Sequence, residues 1–347
     1  ELRVDRPSDA QGYRYYAKQV FSVQHGRPIL GAYIASTHDI ADNAGCPVLA
    51  PLVRAAVDAI ADEVSSRKLR IHWKDEPGLR YLTVRGSKAT GEILFSLVSS
   101  RALENDWLED LEDLADALLK RVDGACGVVA IENMDKGNVL LRGSSRLLAG
   151  KMMLTEEICG FEHEIGPKSF FQINPVSAAA MFEVALGYAG EGEVCLELFC
   201  GVGAMTLPLT HNFKAVVAVD QSEESIDALK RAATQVTEDK VRVELGDAYA
   251  LAPALLRETG AKTLVADPPR RGLGEPLIQA IGDSSVDRLV FLSCQPAVLE
   301  RDLPLLEKAG FKLSALSIVD QFPGTVHVET VALLERIEDQ SIKAQIG

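Results

Sequence analysis

Residues 194–220 read VCLELFCGVGAMTLPLTHNFKAVVAVD, and this stretch decides the fold. It opens with an apolar run interrupted by Glu197, turns at Gly201 and Gly203, and closes with a second apolar run that ends at Asp220. A buried strand, a glycine turn, a helical segment and another buried strand form the repeating unit of a parallel sheet covered by helices on both faces. The stretch therefore predicts an α/β domain with a doubly wound sheet.

The same alternation of apolar strands and helices fills the second half of the chain. Segments that read as strands there are 194–199, 215–219, 241–245, 263–266, 288–292, 313–319 and 328–334, and those that read as helices are 176–187, 204–210, 222–237, 276–282 and 296–309. The first half is mixed, with strands at 13–23, 69–73, 79–85, 91–99 and 127–132 and helices at 48–65 and 107–121. We therefore predict a smaller α+β domain at 1–160, followed by the doubly wound domain at 161–347.

The charge of the chain is distributed unevenly between these two domains. The 347 residues carry 50 Asp and Glu against 36 Lys and Arg, and the formal net charge of −14 by itself argues against a nucleic-acid partner. Residues 1–160 nevertheless hold 20 basic and 23 acidic residues, whereas residues 161–347 hold 16 and 27. The acidity belongs mainly to the second domain, so it does not exclude RNA as a partner of the first.

Composition also limits the class of protein. Hydrophobic residues make up 47% of the chain and charged residues 25%, as in an ordinary folded globular protein. No apolar run approaches the ~18 residues of a membrane span, and the N-terminal residues lack an apolar signal core. The six cysteines include no C-x-x-C pair, so we read them as reduced thiols. We therefore expect a cytoplasmic protein without a membrane partner, and a monomer.

The carboxyl ends of the predicted strands carry small and acidic residues, where a doubly wound sheet binds its ligands. They are Glu197, Phe199, Gly201, Gly203, Asp220, Asp247 and Asp267. The Gly-x-Gly spacing is shorter than the dinucleotide fingerprint, and a phosphate-loop lysine is absent. The pattern therefore favours a nucleoside that lacks a pyrophosphate, such as S-adenosylmethionine, whose positive charges suit carboxylates. The alternative is that these residues only form the turns that any such sheet needs.

Two further residues at this edge carry reactive groups. Cys294 follows the strand at 288–292 and precedes a predicted helix, whose N-terminus can lower the pKa of a thiol. Glu329 opens the last apolar strand, where a carboxylate is costly unless it has a partner or a task. The alternatives are a small buried hydrophobic side chain for Cys294 and a structural ion pair for Glu329. We read Cys126, Cys159 and Cys195 as structural thiols.

Several segments, taken in order, resemble the RNA uracil-C5 methyltransferase family, whose members form 5-methyluridine in ribosomal and transfer RNA. They are SFFQINP at 169–175, ELFCGVG at 197–203, DPPRRG at 267–272, SCQP at 293–296 with RDL at 301–303, and DQFPGTVHVET at 320–330. The resemblance covers roughly the last half of the chain and is weaker in the first half. It implies a Rossmann-like methyltransferase sheet preceded by a smaller domain, as in the short members that lack an N-terminal β-barrel.

The resemblance also implies a mechanism and a set of site residues. Cys294 would add to C6 of uracil, and Glu329 would remove the C5 proton after the methyl group has been transferred from S-adenosylmethionine. The cofactor contacts implied are Gln172, Phe199, Asp220 and Asp267, with Gly201, Gly203 and Asp247 as neighbours. The target uridine is expected to flip out of its stack to reach the thiol.

The chain departs from the family pattern at several positions. Gln295 stands where Asn is usual, and Gln321 and Gly324 stand where Met and His are usual. Cys46 matches a position that in many members is the fourth ligand of an iron–sulfur cluster, but the Cys-rich run that supplies the other three is absent. One cysteine cannot hold a cluster, so we predict no metal in this chain. A [4Fe–4S] cluster including Cys46 is expected only if the native chain extends upstream.

RNA recognition would fall to the first domain. Residues 67–88 carry a set of basic and aromatic side chains, namely Arg67, Lys68, Arg70, Lys74, Arg80, Arg85 and Lys88 with Trp73 and Tyr81. Such a set suits phosphate contact and base stacking, although a solvated strand face is the alternative. We predict uridine-C5 methylation of RNA, with 23S ribosomal RNA as the first candidate substrate and the tRNA T-loop as the second. The alternative from a different class is a catalytically silent RNA-binding or RNA-folding protein.

Overall fold

The computed structural model describes residues 2–25, 27–34, 37, 39–72, 76–135 and 139–337. Its strands are β1 (Leu2–Asp5), β2 (Tyr16–Gln24), β3 (Arg27–Tyr33), β4 (Ile40–Asp42), β5 (Leu79–Gly86), β6 (Ile93–Ser99), β7 (Ala125–Glu132), β8 (Ser144–Gly150), β9 (Leu154–Ile158), β10 (Phe161–Ile165), β11 (Gly192–Leu198), β12 (Phe213–Asp220), β13 (Val241–Leu245), β14 (Thr263–Ala266), β15 (Arg288–Ser293), β16 (Phe311–Val319) and β17 (Glu329–Arg336). Its helices are α1 (Pro51–Ser66), α2 (Asn105–Arg121), α3 (Pro175–Ala189), α4 (Thr206–Leu209), α5 (Glu223–Ala232), α6 (Ala248–Thr259), α7 (Glu275–Gly282) and α8 (Pro296–Lys308).

The chain divides into two compact units. The large unit comprises Glu1–Asp9, Ile158–His163 and Phe170–Gly347, and the small unit comprises Ala10–Glu157 and Glu164–Ser169. This division differs from the boundary at residue 160 in two respects, because the first residues of the chain belong to the large unit and residues 158–169 are divided between the two units. There β1 pairs in parallel with β16, Leu2 lying opposite Leu316. Pairing between residues so distant in sequence leaves no local signal.

The large unit contains an eight-stranded sheet in the order β1-β16-β17-β15-β14-β11-β12-β13. The five strands from β15 to β13 are mutually parallel, whereas β17 is antiparallel to both β15 and β16. The predicted α/β fold with a Rossmann-like sheet is confirmed. The five parallel strands end at one edge of the sheet, and β17 begins at that same edge because it runs in the opposite direction.

Helices cover both faces of this sheet, which explains the nearly continuous apolar character of its central strands. Val217 and Val219 of β12 pack in one core cluster with α6, α7 and α8. Ala218, which points to the opposite face, packs with Ile226 and Leu229 of α5. The two faces together fix the carboxyl edge of the sheet rigidly between helices.

The small unit contains a seven-stranded sheet in the order β4-β3-β2-β5-β6-β7-β8. Strands β6 and β7 are parallel and joined by α2, and the other neighbouring pairs are antiparallel. Helices α1 and α2 pack on this sheet through a core that includes Ile60, Leu82, Phe95, Trp107 and Leu111. The predicted smaller α+β domain is confirmed.

Two features are absent from the residues that the structure describes. No helix among them combines the length and the apolar character needed to cross a membrane. Within the same residues, no group of three or more His, Cys, Asp or Glu side chains is arranged to hold a metal ion. Cys46 is half-buried and packs against the core of the small unit.

Candidate active site

The turn after β11 is shaped by three residues with left-handed backbone. Phe199, Gly201 and Gly203 have φ angles of 65°, 54° and 89°. This conformation suits glycine and strains a phenylalanine by about 1–3 kcal/mol. A Cβ at Gly203 would collide with the Leu229 side chain, whereas a Cβ at Gly201 would meet no atom within 4 Å. Gly203 therefore permits close packing of α5, and Gly201 leaves open space at the ligand edge of the sheet.

Asp220, the last residue of β12, holds this turn against the start of α5. Its Oδ2 accepts a hydrogen bond from the Gly201 N–H at 3.0 Å, and its Oδ1 accepts one from the Ser222 N–H at 2.8 Å. Each carboxylate oxygen can accept a second hydrogen bond. Asp220 thus has a structural task in the turn, and its contact with the cofactor stays a prediction.

Asp247 and two neighbours connect the next loops of the same edge. The Asp247 Oδ1 accepts a hydrogen bond from the Tyr249 N–H at 3.0 Å and so caps α6. The Tyr249 ring stacks beneath the Arg271 guanidinium at 3.6 Å and lies 5.0 Å from the Phe199 ring. Its hydroxyl donates to the Gly272 carbonyl at 2.6 Å. Sequence reasoning missed Tyr249 and Arg271, because their contact joins loops that are distant along the chain.

A cleft lies beside the glycine turn, entirely within the large unit. Its lining includes Phe170, Phe171, Gln172, Glu197, Phe199, Gly201, Asp267 and Leu292. Of the predicted cofactor residues, four lie in this lining, and Gly203, Asp220 and Asp247 do not. The cleft therefore brings together part of the predicted set with Glu197, which the sequence also places at this edge of the sheet.

Two carboxyl groups give this cleft an unusual electrostatic character. Glu197 is only 3% exposed, and its Oε2 has no hydrogen-bond partner among the described residues. Burial raises the pKa of Glu197 to about 8, and the charges of Asp267 and Asp220 act in the same direction. Burial also raises the pKa of Asp267 to about 6. A cation in the cleft would stabilise the ionised form of both groups.

The strand register brings Cys294 and Glu329 together. In the antiparallel pair β15–β17, Ser293 lies opposite Thr330, and the Thr330 hydroxyl donates to the Ser293 carbonyl at 3.0 Å. Cys294 directly follows β15 and Glu329 is the first residue of β17, so the end of this ladder brings the two residues close enough for the charge of Glu329 to act on the thiol. Two groups separated by 35 residues in the sequence therefore share one point on the sheet edge.

The surroundings of this pair raise the pKa of both groups. Burial and the charge of Asp267 raise the pKa of Glu329 to about 8. Burial, followed by the charges of Glu329 and Asp267, raises the pKa of the Cys294 thiol, and Arg270 partly opposes them. The expectation that the helix N-terminus lowers the pKa of this thiol was wrong, because burial raises that pKa and the charges of Glu329 and Asp267 raise it further.

Gln172 is linked to the segment that precedes Glu329. Its Oε1 accepts a hydrogen bond from the Gln321 Nε2 at 3.1 Å. Asn174, two residues further on, donates from its Nδ2 to the Gln321 carbonyl at 3.0 Å and to the Ser177 hydroxyl at 2.9 Å. One wall of the cleft and the connection between β16 and β17 are therefore joined by side-chain amides.

His163 supports the glycine turn from below. It is 1% exposed, and its Nδ1 lies 3.2 Å from the Val202 carbonyl oxygen, which can only accept, so Nδ1 carries the proton. Burial lowers the pKa of His163 to about 4, so the imidazole is neutral at physiological pH. Sequence reasoning missed His163, although the alternation in FEHEI at 161–165 points it inward with Phe161 and Ile165.

These features fit a cationic nucleoside cofactor such as S-adenosylmethionine. The buried carboxyl groups of Glu197 and Asp267 suit its two positive charges, and the unpartnered Glu197 Oε2 needs a donor or a cation. The open space at Gly201 allows close approach of a ligand to the backbone.

The basic stretch predicted to contact RNA is only partly exposed. Arg85 is 5% exposed, with its guanidinium 4.1 Å from the Tyr16 ring centroid and its Nη2 donating to the Ser169 carbonyl at 3.0 Å. Tyr81 is 3% exposed. The prediction that Arg85 and Tyr81 belong to an RNA-binding surface was therefore wrong, because both side chains are part of the buried interior.

The remaining residues of that stretch differ in exposure and pairing. Arg67 forms an ion pair with Glu63 at 3.1 Å, and Arg80 donates to the Asp135 carbonyl at 2.6 Å. Lys68, Arg70 and Lys88 are exposed. Trp73 and Lys74 lie outside the described residues. A basic surface in the small unit is thus limited to fewer residues than the sequence predicts.

Comparisons with known proteins identify relatives over most of the chain. The family described as tRNA (Uracil-5-)-methyltransferase matches residues 65–337. An uncharacterized RNA methyltransferase of Clostridium tetani is 31% identical over 336 residues, which are 94% of this chain and 72% of that protein. An uncharacterized RNA methyltransferase of Geobacter sulfurreducens is 32% identical over 341 residues, which are 96% of this chain and 68% of that protein.

A solved structure supports the fold. The Pyrococcus abyssi tRNA (uracil-54, C5)-methyltransferase in complex with S-adenosyl-L-homocysteine matches with a TM-score of 0.78 at 24% sequence identity. The match covers 96% of this chain and 79% of that chain. The two proteins therefore share their architecture from the first strands to the last.

Proposed function

Because this chain belongs to the tRNA (uracil-5-)-methyltransferase family and is an S-adenosylmethionine-dependent RNA methyltransferase, we propose that it methylates C5 of a uridine through Cys294 and Glu329. The observation that supports this proposal is the antiparallel pairing of β15 and β17, because Cys294 follows the last paired residue of β15 and Glu329 begins β17 at the same edge of the sheet. Glu329 is 5% exposed, and among the described residues its carboxyl group forms no salt bridge that would explain its burial there.

Cys294 serves as the nucleophile in this proposal. C5 of uracil is a poor nucleophile, and addition of the thiolate to C6 converts it into an enolate carbon that can form a new C–C bond. S-adenosylmethionine, when bound, supplies the electrophilic methyl group on a positively charged sulfur. The flipped uracil has to enter the cleft near Asp267, which lies close to both Cys294 and Glu329.

Glu329 serves as the general base. After methylation, C5 carries both the new methyl group and its original hydrogen, so a proton must leave before the product can form. The Glu329 carboxylate takes that proton, the electron pair returns to the C5–C6 bond, and the bond between C6 and Sγ breaks. The thiolate is thereby released and the 5-methyluracil ring regains its double bond.

The pKa values of the pair make this sequence dependent on pH. Glu329 has a pKa of about 8 and accepts a proton only as a carboxylate. The raised pKa of Cys294 likewise leaves little thiolate at neutral pH in the free protein. A positive charge in the cleft favours ionisation of all these groups, so cofactor binding is expected to activate the nucleophile.

The cofactor in this proposal is held by the residues that line the cleft and the adjacent loops. Glu197 and Asp267 balance positive charge, Gln172 offers an amide, and Phe199 and Gly201 form the wall of the turn. Asp220, Gly203 and Asp247 support these residues from outside the lining. A [4Fe–4S] cluster including Cys46 stays a prediction that depends on an upstream Cys-rich segment.

The RNA itself is the next level of the proposal. We expect 23S ribosomal RNA to be the first substrate to test. The second is tRNA, which both the family description and the Pyrococcus neighbour specify. Both substrates would be met in the cytoplasm, where we expect a monomer to act. Lys68, Arg70 and Lys88 remain as exposed basic residues for contacts with the RNA.

The test is transfer of labelled methyl groups from S-adenosylmethionine to unmodified 23S ribosomal RNA and to unmodified tRNA. We expect 5-methyluridine at a single position in one of the two RNAs. If neither RNA gains it, the proposed function is wrong. If the label appears on an amino group or on cytosine, the mechanism through Cys294 and Glu329 is wrong.

A second assay tests the nucleophile directly. RNA that contains 5-fluorouridine should form a stable covalent adduct with the protein, because fluorine at C5 cannot leave as a proton. Cys294→Ala should abolish the adduct, and Cys126→Ala should retain it, since Cys126 is a half-buried thiol of the small unit. An adduct that persists in Cys294→Ala would assign the nucleophile to another residue.

A further inference from the structure

The hydrogen bond between Gln321 and Gln172 has a consequence for cofactor selection, and this inference rests on the proposed function. We propose that Gln321 is a positioning residue that holds the Gln172 carboxamide with its NH₂ group free to bind the carboxylate of the cofactor. Gln321 itself is fully buried and does not line the cleft.

The first support is the composition of the cleft lining. Its charged side chains, Glu197 and Asp267, are both carboxyl groups, which would repel a carboxylate on the ligand. Among the described residues of that lining, Gln172 is the only side chain with an N–H donor. The ammonium group of an amino-acid moiety in this cleft could therefore bind to Glu197 or Asp267. Among the described lining residues, only the Gln172 side chain could donate an N–H to its carboxylate.

The second support is the direction of the hydrogen bond. An amide can present either its oxygen or its NH₂ group to a ligand. The oxygen carries partial negative charge and repels an anion, whereas the NH₂ group donates a hydrogen bond to it. Gln321 donates from Nε2 to the Oε1 of Gln172 at 3.1 Å, which holds the Gln172 oxygen on the side of Gln321. The Gln172 NH₂ group is then the end that remains for a ligand.

The third support is that packing alone does not explain a glutamine at this position. The Oε1 of Gln321 is buried without a hydrogen-bond partner among the described residues, which is unfavourable for an amide. Methionine has nearly the same length and would fill the space without that cost. The backbone of Gln321 is fixed independently, since its N–H donates to the Val319 carbonyl and its carbonyl accepts from Asn174.

The test compares two ligands that differ in the group concerned. S-adenosylhomocysteine carries the amino-acid moiety, whereas 5′-methylthioadenosine shares the nucleoside and the sulfur and lacks that moiety. Calorimetry without RNA should show that Gln321→Met weakens S-adenosylhomocysteine about 3- to 10-fold, the range expected for one hydrogen bond, and leaves 5′-methylthioadenosine unchanged. Equal losses for both ligands, or no loss for either, would overturn the proposal.

The matched control is Gln19→Met in the small unit. Gln19 is 3% exposed, and its Oε1 accepts a hydrogen bond from the Asn43 Nδ2 at 3.4 Å, so the same change removes a buried amide contact elsewhere. The affinity of the Gln19→Met variant for both ligands should equal that of the unchanged protein. An equal loss of S-adenosylhomocysteine affinity in Gln19→Met would assign the effect to general destabilisation and would overturn the proposal.

A double-variant cycle keeps the proposal testable if Gln321→Met folds poorly. Gln172→Leu removes the group that Gln321 is proposed to orient, so adding Gln321→Met to it should cause no further loss of S-adenosylhomocysteine affinity. Additive losses would show that Gln321 acts by another route. These measurements use no RNA, so a failure of methyl transfer to any RNA would overturn the proposed function without affecting their outcome.

Discussion

Two buried glutamates, one in each unit, differ in how the protein satisfies their carboxylates. Glu156 of the small unit is 2% exposed, and Glu197 of the large unit is 3% exposed. The Glu156 carboxylate accepts backbone hydrogen bonds from Lys88 at 2.8 Å and from Ala89 at 3.0 Å. Glu197 Oε2 has no partner among the described residues. The two side chains are almost equally buried, so they differ in the hydrogen-bond partners of their carboxylates and not in their exposure.

The same difference extends to other carboxyl groups of the two units. In the small unit, hydrogen bonds from Lys151 and from the Thr155 N–H outweigh burial and lower the pKa of Glu92. In the large unit, burial raises the pKa of Glu197, Asp267 and Glu329. A fold that leaves carboxyl groups unsatisfied at one edge loses stability there unless a ligand completes them. Raised pKa values of carboxyl groups therefore distinguish the edge with the candidate site from the rest of the described residues.

The largest effect is expected for Glu329→Gln. The amide cannot accept the C5 proton, so turnover should fall by about 10²- to 10⁴-fold. Addition of Cys294 and transfer of the methyl group should still occur, so a covalent RNA–protein adduct should accumulate with ordinary uridine. Gel analysis after denaturation measures the adduct. A variant that loses both turnover and the adduct would remove Glu329 from the role of base.

The variants Glu197→Gln and Glu156→Gln test the comparison between the two buried glutamates. Raised folded-state pKa values mean that the native protein binds more protons than the unfolded chain, so stability falls as pH rises from about 4.5 through about 8. Glu197→Gln should remove part of that fall and stabilise the free protein above pH 8 by a few kcal/mol, on the order of 1.4 per pKa unit.

Glu156→Gln should have the opposite effect. It replaces one acceptor oxygen with an NH₂ group that faces a backbone donor, and should destabilise the protein by about 1–3 kcal/mol at every pH. Denaturant unfolding at pH 6 and pH 9 measures both variants. Equal destabilisation by the two changes would end the distinction between the two glutamates.

Cofactor binding should release protons. Glu197 is largely protonated at pH 7, and a cation binds better to its ionised form, so affinity for S-adenosylmethionine should rise with pH up to about 8. The slope approaches about tenfold per pH unit for one linked proton. Calorimetry in two buffers with different ionisation enthalpies measures the released protons, and Glu197→Gln should release fewer. A pH-independent affinity would contradict the proton linkage.

The smallest effect concerns RNA binding by the small unit. Changing Lys68 and Arg70 to Ala should weaken RNA binding and reduce the slope of log K against log salt by about 0.7 for each phosphate that is no longer neutralised. Arg85→Ala should instead lower the unfolding midpoint, because its guanidinium is buried against Tyr16. Filter binding over a salt series and thermal unfolding separate the two results. An unchanged slope in the double variant would locate the phosphate-binding residues elsewhere.

The sequence predicted strands from two different patterns. The segment at 263–266 coincides with β14, a short run whose four residues are all buried, and the segment at 241–245 coincides with β13, an edge strand in which Arg242 and Glu244 alternate with apolar residues. The helix predicted at 48–65 begins at Pro51, since proline favours the first helical turn. The helix predicted at 222–237 ends at Ala232 and continues only as a 3₁₀ turn.

Other elements and contacts could not be predicted from local pattern. The segment at 69–73 has strand-like residues, but its described part, residues 69–72, forms only an isolated bridge from Ile71 to Leu79. Strands β1, β3 and β8 were missed because much of their surface is exposed and their partners lie elsewhere in the chain. The hydrogen bond between Gln321 and Gln172 could not be predicted for the same reason, because the two residues are 149 positions apart in the chain. The sequence could therefore identify candidate site residues one by one, but it could not predict the contacts between them.

The reversed direction of β17 has a consequence for how this protein can change in length. Helix α8 and strand β16 fill the chain between Cys294 and Glu329, but the meeting of the two residues depends on pairing between β15 and β17. Strand β16 already accommodates a shift of register between Leu313 and Ala315 while Val319 still lies opposite Glu329. Insertions near Gly310 should therefore be absorbed outside the site.

One residue added inside β17 would act differently. Because side chains alternate between the faces of a strand, a slip of one position turns Glu329 away from the thiol. The region between Cys294 and Glu329 can thus drift in length over evolutionary time or be lengthened by design, whereas β17 allows no change in its count of residues.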